Sequence, residues 1–184
     1  VGFEAGIRDV SIQTEQGRTV HRGDPGNAEH IESITTSLST MNVVGLIHLA
    51  PMKLASVAWS EDTLPSAQVS LAAHGWFGLL KGMDAHLGEL NQGLVASVTA
   101  MDGRHGNIGE RFNAIQCAAS GVTKSYAFER QNLRTRALDV HPELIFDAAT
   151  AAEHIEVELF EHAGEVEIGL DRDGRRWLLV AFAE

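Results

Sequence analysis

The sequence predicts an α/β fold: a doubly wound, mostly parallel sheet with helices on both faces and an antiparallel hairpin at its C-terminal end. Three observations predict it. Strand-like and helix-like segments alternate along the 184 residues. Two stretches, Val43 to Ala50 and Gly93 to Ala100, are almost continuously apolar, as expected of strands covered on both faces. Asp171-Arg-Asp-Gly stands between two further strand-like runs and reads as a hairpin turn.

Each element has its own signal. Val10 to Gln13 and Thr19 to Arg22 read as short strands joined about Gln16-Gly17. Asp24-Pro-Gly-Asn is a turn that offers caps to the next helix. From Asn27 to Thr40, with Ile31, Ile34, Leu38 and then Met41 at helical spacing, a helix is expected. A second helical region runs from Thr63 to Leu90, with Gly75, Gly78 and Gly82 permitting close packing. A third follows the glycine-containing loop and extends to Arg130. Leu133 to Val140 alternates polar and apolar residues as a strand does. Ala148 to Phe160 is helical, with Gly164 as terminator, and Glu165 to Leu170 and Arg176 to Phe182 close the chain as a hairpin.

At this length the chain is a single domain, 1–184, able to bury a real core. Apolar residues at 44% and charged residues at 21% are globular values. The net charge of −11, with dispersed basic residues, excludes a nucleic-acid binder of the usual electrostatic kind. Cys117 is the single cysteine; that rules out an internal disulfide and leads to the expectation of a reducing, cytoplasmic setting. No apolar run is long enough for a membrane span, and no signal peptide is evident. Because the chain opens on Val1 and not Met, it is expected to be a piece of something longer.

The segment Val95 to Lys124 has the strand, glycine loop and helix of a phosphate site. Its glycines argue otherwise. Gly103, Gly106 and Gly109 follow Gly-x-x-Gly-x-x-Gly, not the Gly-x-Gly-x-x-Gly that lets a backbone turn and then approach a pyrophosphate. Gly109 is followed by Glu110, which repels phosphate, where a Walker loop has lysine. The loop reads as a connection whose glycines supply positive φ.

Several ordered motifs carry a resemblance. Val43 to Met52 (VVGLIHLAPM) is similar to the strand that ketoreductases end with a His-Ala-Ala-Gly type motif. Ala72-Ala-His-Gly-Trp-Phe stands where that family has Asn-Val-x-Gly-x-Phe, and Leu94 to Ala100 matches the strand leading to its serine. Gln116 to Lys124, Asn132 to Val140, and Gly164 to Asp171 with Gly174-Arg-Arg add to it. Over roughly residues 40 to 180 the chain resembles ketoreductase regions, of short-chain dehydrogenase/reductase type, from polyketide synthases and especially polyunsaturated fatty acid synthases. The resemblance implies a truncated Rossmann-like fold in which the first cofactor-binding βαβ units are absent.

Active relatives use a tyrosine as acid, a lysine four residues on, a serine and an asparagine. The resemblance puts the tyrosine position on Cys117, the lysine position on Gly121 and the asparagine position on Ala72, while Ser97 or Thr99 takes the serine position. Glycine has no side chain, and a lone thiol is a poor substitute acid. The resemblance thus implies a cleft that has lost its acid, lined by His48, Ser97, Thr99, Gly103, His105, Gly106 and Gly109.

Other candidates read as structure. Tyr126 and Arg130 form Tyr-x-x-x-Arg near a helix end, a packing pair. Lys124 reads as a solvated helix lysine and Cys117 as a buried small hydrophobe. His154, Glu158 and His162 recur at helical spacing as a surface stripe, so no metal site is expected. His48 is either a relic of a substrate pocket or a satisfied core residue. Trp59, Trp76 and Trp177 are packing anchors, Trp177 also an interface candidate.

The expected function is that of a degenerate, structural ketoreductase-like subdomain supporting other domains of the same multienzyme, without a cofactor of its own. Two alternatives stand beside it. One is an active NADPH-dependent β-ketoacyl reductase portion whose glycine-rich segment lies outside the chain. The other is an acyl-chain or acyl-carrier-protein binding module. Uncovered strand edges favour an interdomain contact or a homodimer.

Overall fold

The computed structural model describes residues 1–3, 8–15, 18–57, 66–109, 112–161 and 164–180. Three short N-terminal strands form a small sheet: β1 (Gly2–Phe3), β2 (Ser11–Glu15) and β3 (Arg18–Gly23), in the order β1-β3-β2. β2 and β3 pair antiparallel, the expected hairpin, although its turn at Gln16-Gly17 lies outside the described residues. Helix α1 (Ala28–Leu38) starts where Asn27 Oδ1 accepts the N–H groups of Glu29 and His30. Its buried stripe is Ile31, Ile34 and Leu38.

The main sheet begins with β4 (Gly45–His48). Then come α2 (Ser66–Val69), one π-helical turn over 70–74, and α3 (Gly75–Gly88), within the span expected to be one helix. Residues 63–65 of that expectation lie outside the described residues. β5 (Leu94–Thr99), α4 (Cys117–Glu129), β6 (Arg134–Val140), α5 (Ala148–Phe160), β7 (Glu167–Leu170) and β8 (Arg176–Leu178) complete the chain. The strand order is β4-β5-β6-β7-β8, parallel except for the antiparallel β7–β8 hairpin. This is the doubly wound sheet that the alternation predicts.

β5 shows why helices lie on both faces. All six of its residues are buried, and successive side chains point to opposite sides. Val95 joins the core made with α1, α3 and Tyr126 of α4, while Leu94, Ala96 and Val98 join Leu159 and Ala151 of α5. Gly78 and Gly82 let α3 approach α1, where an added Cβ would meet Ile31 and Thr35.

The structure corrects some expectations. Val43 to Ala50 is not a strand covered on both faces: β4 is an edge strand of four residues, with Val44, Ile47 and Leu49 exposed. An apolar run reports burial potential and cannot reveal whether a neighbour fills it. β6, despite its alternation, is buried almost throughout, and most of its polar side chains find partners. Arg134 donates to the carbonyls of Leu159 and Phe160 at the C-terminal end of α5, and Arg136 donates to the Thr135 and Gly164 carbonyls.

Candidate functional site

The C-terminal ends of β5, β6 and β7 meet the 100–109 loop and the start of α4. In doubly wound sheets this is the end at which ligands bind. The loop is built around carboxylates. Asp102, fully buried, accepts the N–H of Arg104 and of Gly106 on Oδ1, each at 2.8 Å, and that of Ile108 on Oδ2 at 3.1 Å. Positive φ at Gly103, His105, Gly106 and Gly109 turns these donors inward. Such a cluster of N–H groups could hold an anion, and here it holds the chain's own aspartate.

Asp139, at the end of β6 and also fully buried, is the second centre. It accepts the Thr99 hydroxyl and the Met101 N–H, both at 2.9 Å on Oδ1, and the N–H of His105 at 2.9 Å and of Asp102 at 3.3 Å on Oδ2. Burial pushes the Asp139 pKa up. Burial acts on Asp102 in the same direction, but the N–H groups of Gly106, Ile108 and Arg104 outweigh it and hold its pKa below the ordinary carboxylate value.

Of the cleft candidates, Ser97 and Thr99 are committed to internal bonds. Ser97 is fully buried, and its Oγ receives the Thr123 hydroxyl at 2.8 Å; Thr123 in turn accepts Trp76 Nε1–H at 2.8 Å. Thr99 is equally buried beneath Asp139. Gly103 lies against β7, where a Cβ would strike the Leu170 carbonyl, and Gly106 lies under the Phe112 ring. Gly109 faces open space. His105 Nδ1 is 3.7 Å from Glu167.

His48 belongs to the core. Its ring stacks on Trp76 with centroids 5.0 Å apart, and Nε2–H donates to the Ala72 carbonyl at 3.3 Å. Burial lowers its pKa to about 4. Ala72, in the π-helical turn, is fully buried, so its site contribution is this carbonyl.

The acid and lysine positions of the resemblance, Cys117 and Gly121, are both exposed. A Cβ on Gly121 would meet nothing within 4 Å; it lies on the outer α3–α4 face with Phe77 and Leu80, directed away from the strand ends. Cys117 is an exposed residue, not a buried one, with its thiol 3.4 Å from Met101 Sδ. Partial burial of that sulfur pushes its pKa up, against any thiolate role. The pair at four-residue spacing that does face the loop and strand end is Phe112, over Gly106, and Gln116. Gln116 is fully buried with its amide on the Ala100 peptide.

The remaining candidates resolve as structure. Tyr126 and Arg130 both bind Asp84. Lys124 is not simply solvated: Nζ is 2.7 Å from Glu167 on β7. Glu158 is buried and paired with Arg176 at 3.1 Å, so the expected surface stripe fails there; His162 lies outside the described residues. Trp76 is a core anchor, Trp59 lies outside the described residues, and Trp177 is 40% exposed beneath the Arg104 guanidinium, 3.5 Å from its ring centroid. Among the described residues no group of three or more potential ligands is placed to hold a metal ion.

Sequence reasoning passed over Asp102, Asp139, Phe112 and Gln116. The available signal was polarity where burial was expected: Asp139 inside a strand, and Asp102 just past one.

The architecture is the Rossmann-like α/β fold of short-chain oxidoreductases. No protein-family model matches the chain, and no curated protein matches it significantly. Solved structures do. One is a keto acid-selecting NRPS module with adenylation, ketoreductase and pseudo Asub parts: TM-score 0.62 at 15% identity, over 95% of this chain and 14% of that one. Another is an alcohol dehydrogenase from Thermococcus sibiricus complexed with 5-hydroxy-NADP: TM-score 0.61 at 15% identity, over 86% and 76%. A third is a metagenomic short-chain oxidoreductase in complex with NADP: TM-score 0.57 at 14% identity, over 80% and 70%. The chain thus spans a small fraction of the multidomain module and about three quarters of the alcohol dehydrogenase.

Proposed function

We propose that this chain is a degenerate reductase-type subdomain of a polyketide or polyunsaturated fatty acid synthase-like multienzyme. It supports a neighbouring domain and does not itself reduce a substrate. The observation that carries this reading is the inward commitment of the strand ends. Ser97 and Thr99 are sealed, and the loop donors are taken by Asp102 and Asp139. The four-residue pair facing the strand end is Phe112 and Gln116, neither of which supplies a phenol or a cation. The exposed edge of β4, carrying Val44, Ile47 and Leu49, offers a docking margin for another domain of the parent chain.

The solved relatives holding NADP or its derivative favour a second reading, an active reductase portion whose cofactor segment lies elsewhere in the parent polypeptide. If NADPH bound, it would supply hydride and this chain would have to supply the proton. NADPH consumption with a β-ketoacyl thioester separates the two readings, measured on the chain and on its parent polypeptide. The structural reading expects no turnover assignable to this region. Turnover by the parent that is abolished by Gln116→Ala or Cys117→Ala in a folded protein establishes the second.

A further inference from the structure

We propose that the groove between α5 and the uncovered side of β4 is a docking site for a basic amphipathic helix of a neighbouring protein domain. The two faces of the main sheet are covered unequally. α1, α3 and α4 pack on the face that carries Val95, whereas among the described residues α5 is the one α-helix packed on the face that carries Ala96. In the parallel register Leu46 pairs with Val95 and Ile47 with Ala96, so Ile47 points to the α5 side. The core beneath α5 takes in residues of β5, β6 and β7 but leaves Ile47 out. Ile47 is 44% exposed, and Leu49 just beyond the strand is 50% exposed.

A cavity of about 410 Å³ lies in this gap. Ile47, Leu49 and Met52 form one wall, and Ala148, Ala152 and Ile155 of α5 form the other. The α5 residues recur at i, i+4 and i+7, so they make a single stripe along the helix. Alanine at 148 and 152 leaves room for a second helix axis at roughly 8–10 Å. Exposed Phe160 lines the C-terminal end of the groove. An apolar groove bounded by charged residues marks an interaction site. This one lies in the helix layer, over the face of β4, so its complement is a helix with its own apolar stripe and not an added strand.

The flank of the groove sets the charge of the occupant. Glu153 and Glu156, both exposed, stand one turn apart on α5, and Glu156 lines the groove. Among the described residues neither is paired with a lysine or arginine. The cations of the adjoining elements are engaged elsewhere. Arg134 donates to the Leu159 and Phe160 carbonyls, and Arg176 binds Glu158 and Glu165. Lys53 lines the groove on the opposite face of β4, with Leu46 and Trp76. A helix carrying lysine or arginine beside its apolar stripe therefore complements both the groove and the net charge of −11. A second copy seated by the same face would set Glu153 and Glu156 against themselves. The inference rests on the reading that this chain supports a neighbouring domain, and it names what that domain presents.

The test titrates the folded chain with two synthetic helical peptides that share one leucine stripe, followed by amide NMR. One peptide carries lysines on its polar side and the other glutamates. The lysine peptide is expected to bind saturably and to shift the amides of Ile47, Leu49, Ala152 and Ile155, while the glutamate peptide leaves them in place. Ala152→Gln, at an exposed helix position, puts a polar side chain into the groove and should weaken binding about tenfold. Glu153→Lys with Glu156→Lys should reverse the preference, so that the glutamate peptide binds more tightly. No saturable binding of the lysine peptide, shifts that fall away from the groove, or affinities unchanged in both variants overturn the proposal. So does a dimer in sedimentation that Ala152→Gln dissociates, because a second copy then covers the groove. NADPH turnover by this region would remove the supporting role without altering peptide binding, so the two readings fail separately.

Discussion

The side-chain amide of Gln116 closes on the peptide of Ala100: Oε1 accepts the Ala100 N–H at 2.8 Å, and Nε2 donates to the Ala100 carbonyl at 3.1 Å. The first peptide beyond β5 is thus paired by a helix-start side chain, in place of a strand neighbour. Gln116→Leu leaves a buried donor and acceptor without partners and should cost about 2–3 kcal/mol. Gln116→Lys can donate but cannot accept, so it should also destabilise. Urea unfolding checks both, and unchanged midpoints would contradict the pairing.

His48 gives stability a dependence on pH. It is neutral in the core, stacked on Trp76, with its pKa lowered from 6.5 to about 4 by burial. The unfolded chain therefore takes up a proton before the folded chain does, and stability falls as pH drops from 6.5 towards 4. The loss attributable to His48 is about 3 kcal/mol. His48→Phe keeps a ring against Trp76 and removes the titration, so its unfolding free energy should decline less over this window. Parallel curves for the two proteins would place the ionisation elsewhere.

Tyr126 is the single tyrosine, so its ionisation can be read directly in the ultraviolet spectrum. Burial, then the hydrogen bond to Asp84, pushes its pKa up to about 12. Asp84→Asn should lower the midpoint while leaving it above that of free tyrosine, about 10, because burial remains. A midpoint unmoved by the substitution would show that Asp84 does not set the phenol's environment.

The fold was legible wherever one local signal decided an element. β5 announced itself by Leu94 to Thr99, the final hairpin by Asp171-Arg-Asp-Gly, and α1 by Asn27 and the Ile31, Ile34, Leu38 spacing. β4 was less legible because its exposed Ile47 and Val44 look in sequence like the interior of a central strand. The site was harder still. Asp139 reaches Met101 and His105 across 38 and 34 residues, a relationship that no local pattern encodes. The resemblance puts the acid and lysine positions on Cys117 and Gly121. The turn over 114–116 instead directs Gln116 to the strand end and leaves Gly121 on the outer face. Both placements find the strand end without a tyrosine and lysine pair, for different residues.

The end of the sheet is filled by the chain's own side chains. Calorimetric titration of the folded chain with NADPH tests it most directly. No saturable heat is expected, because the loop donors are held by Asp102 and Asp139 and, among the described residues, Gln116 and not a lysine stands at the end of β5. Saturable binding with a micromolar dissociation constant would contradict it.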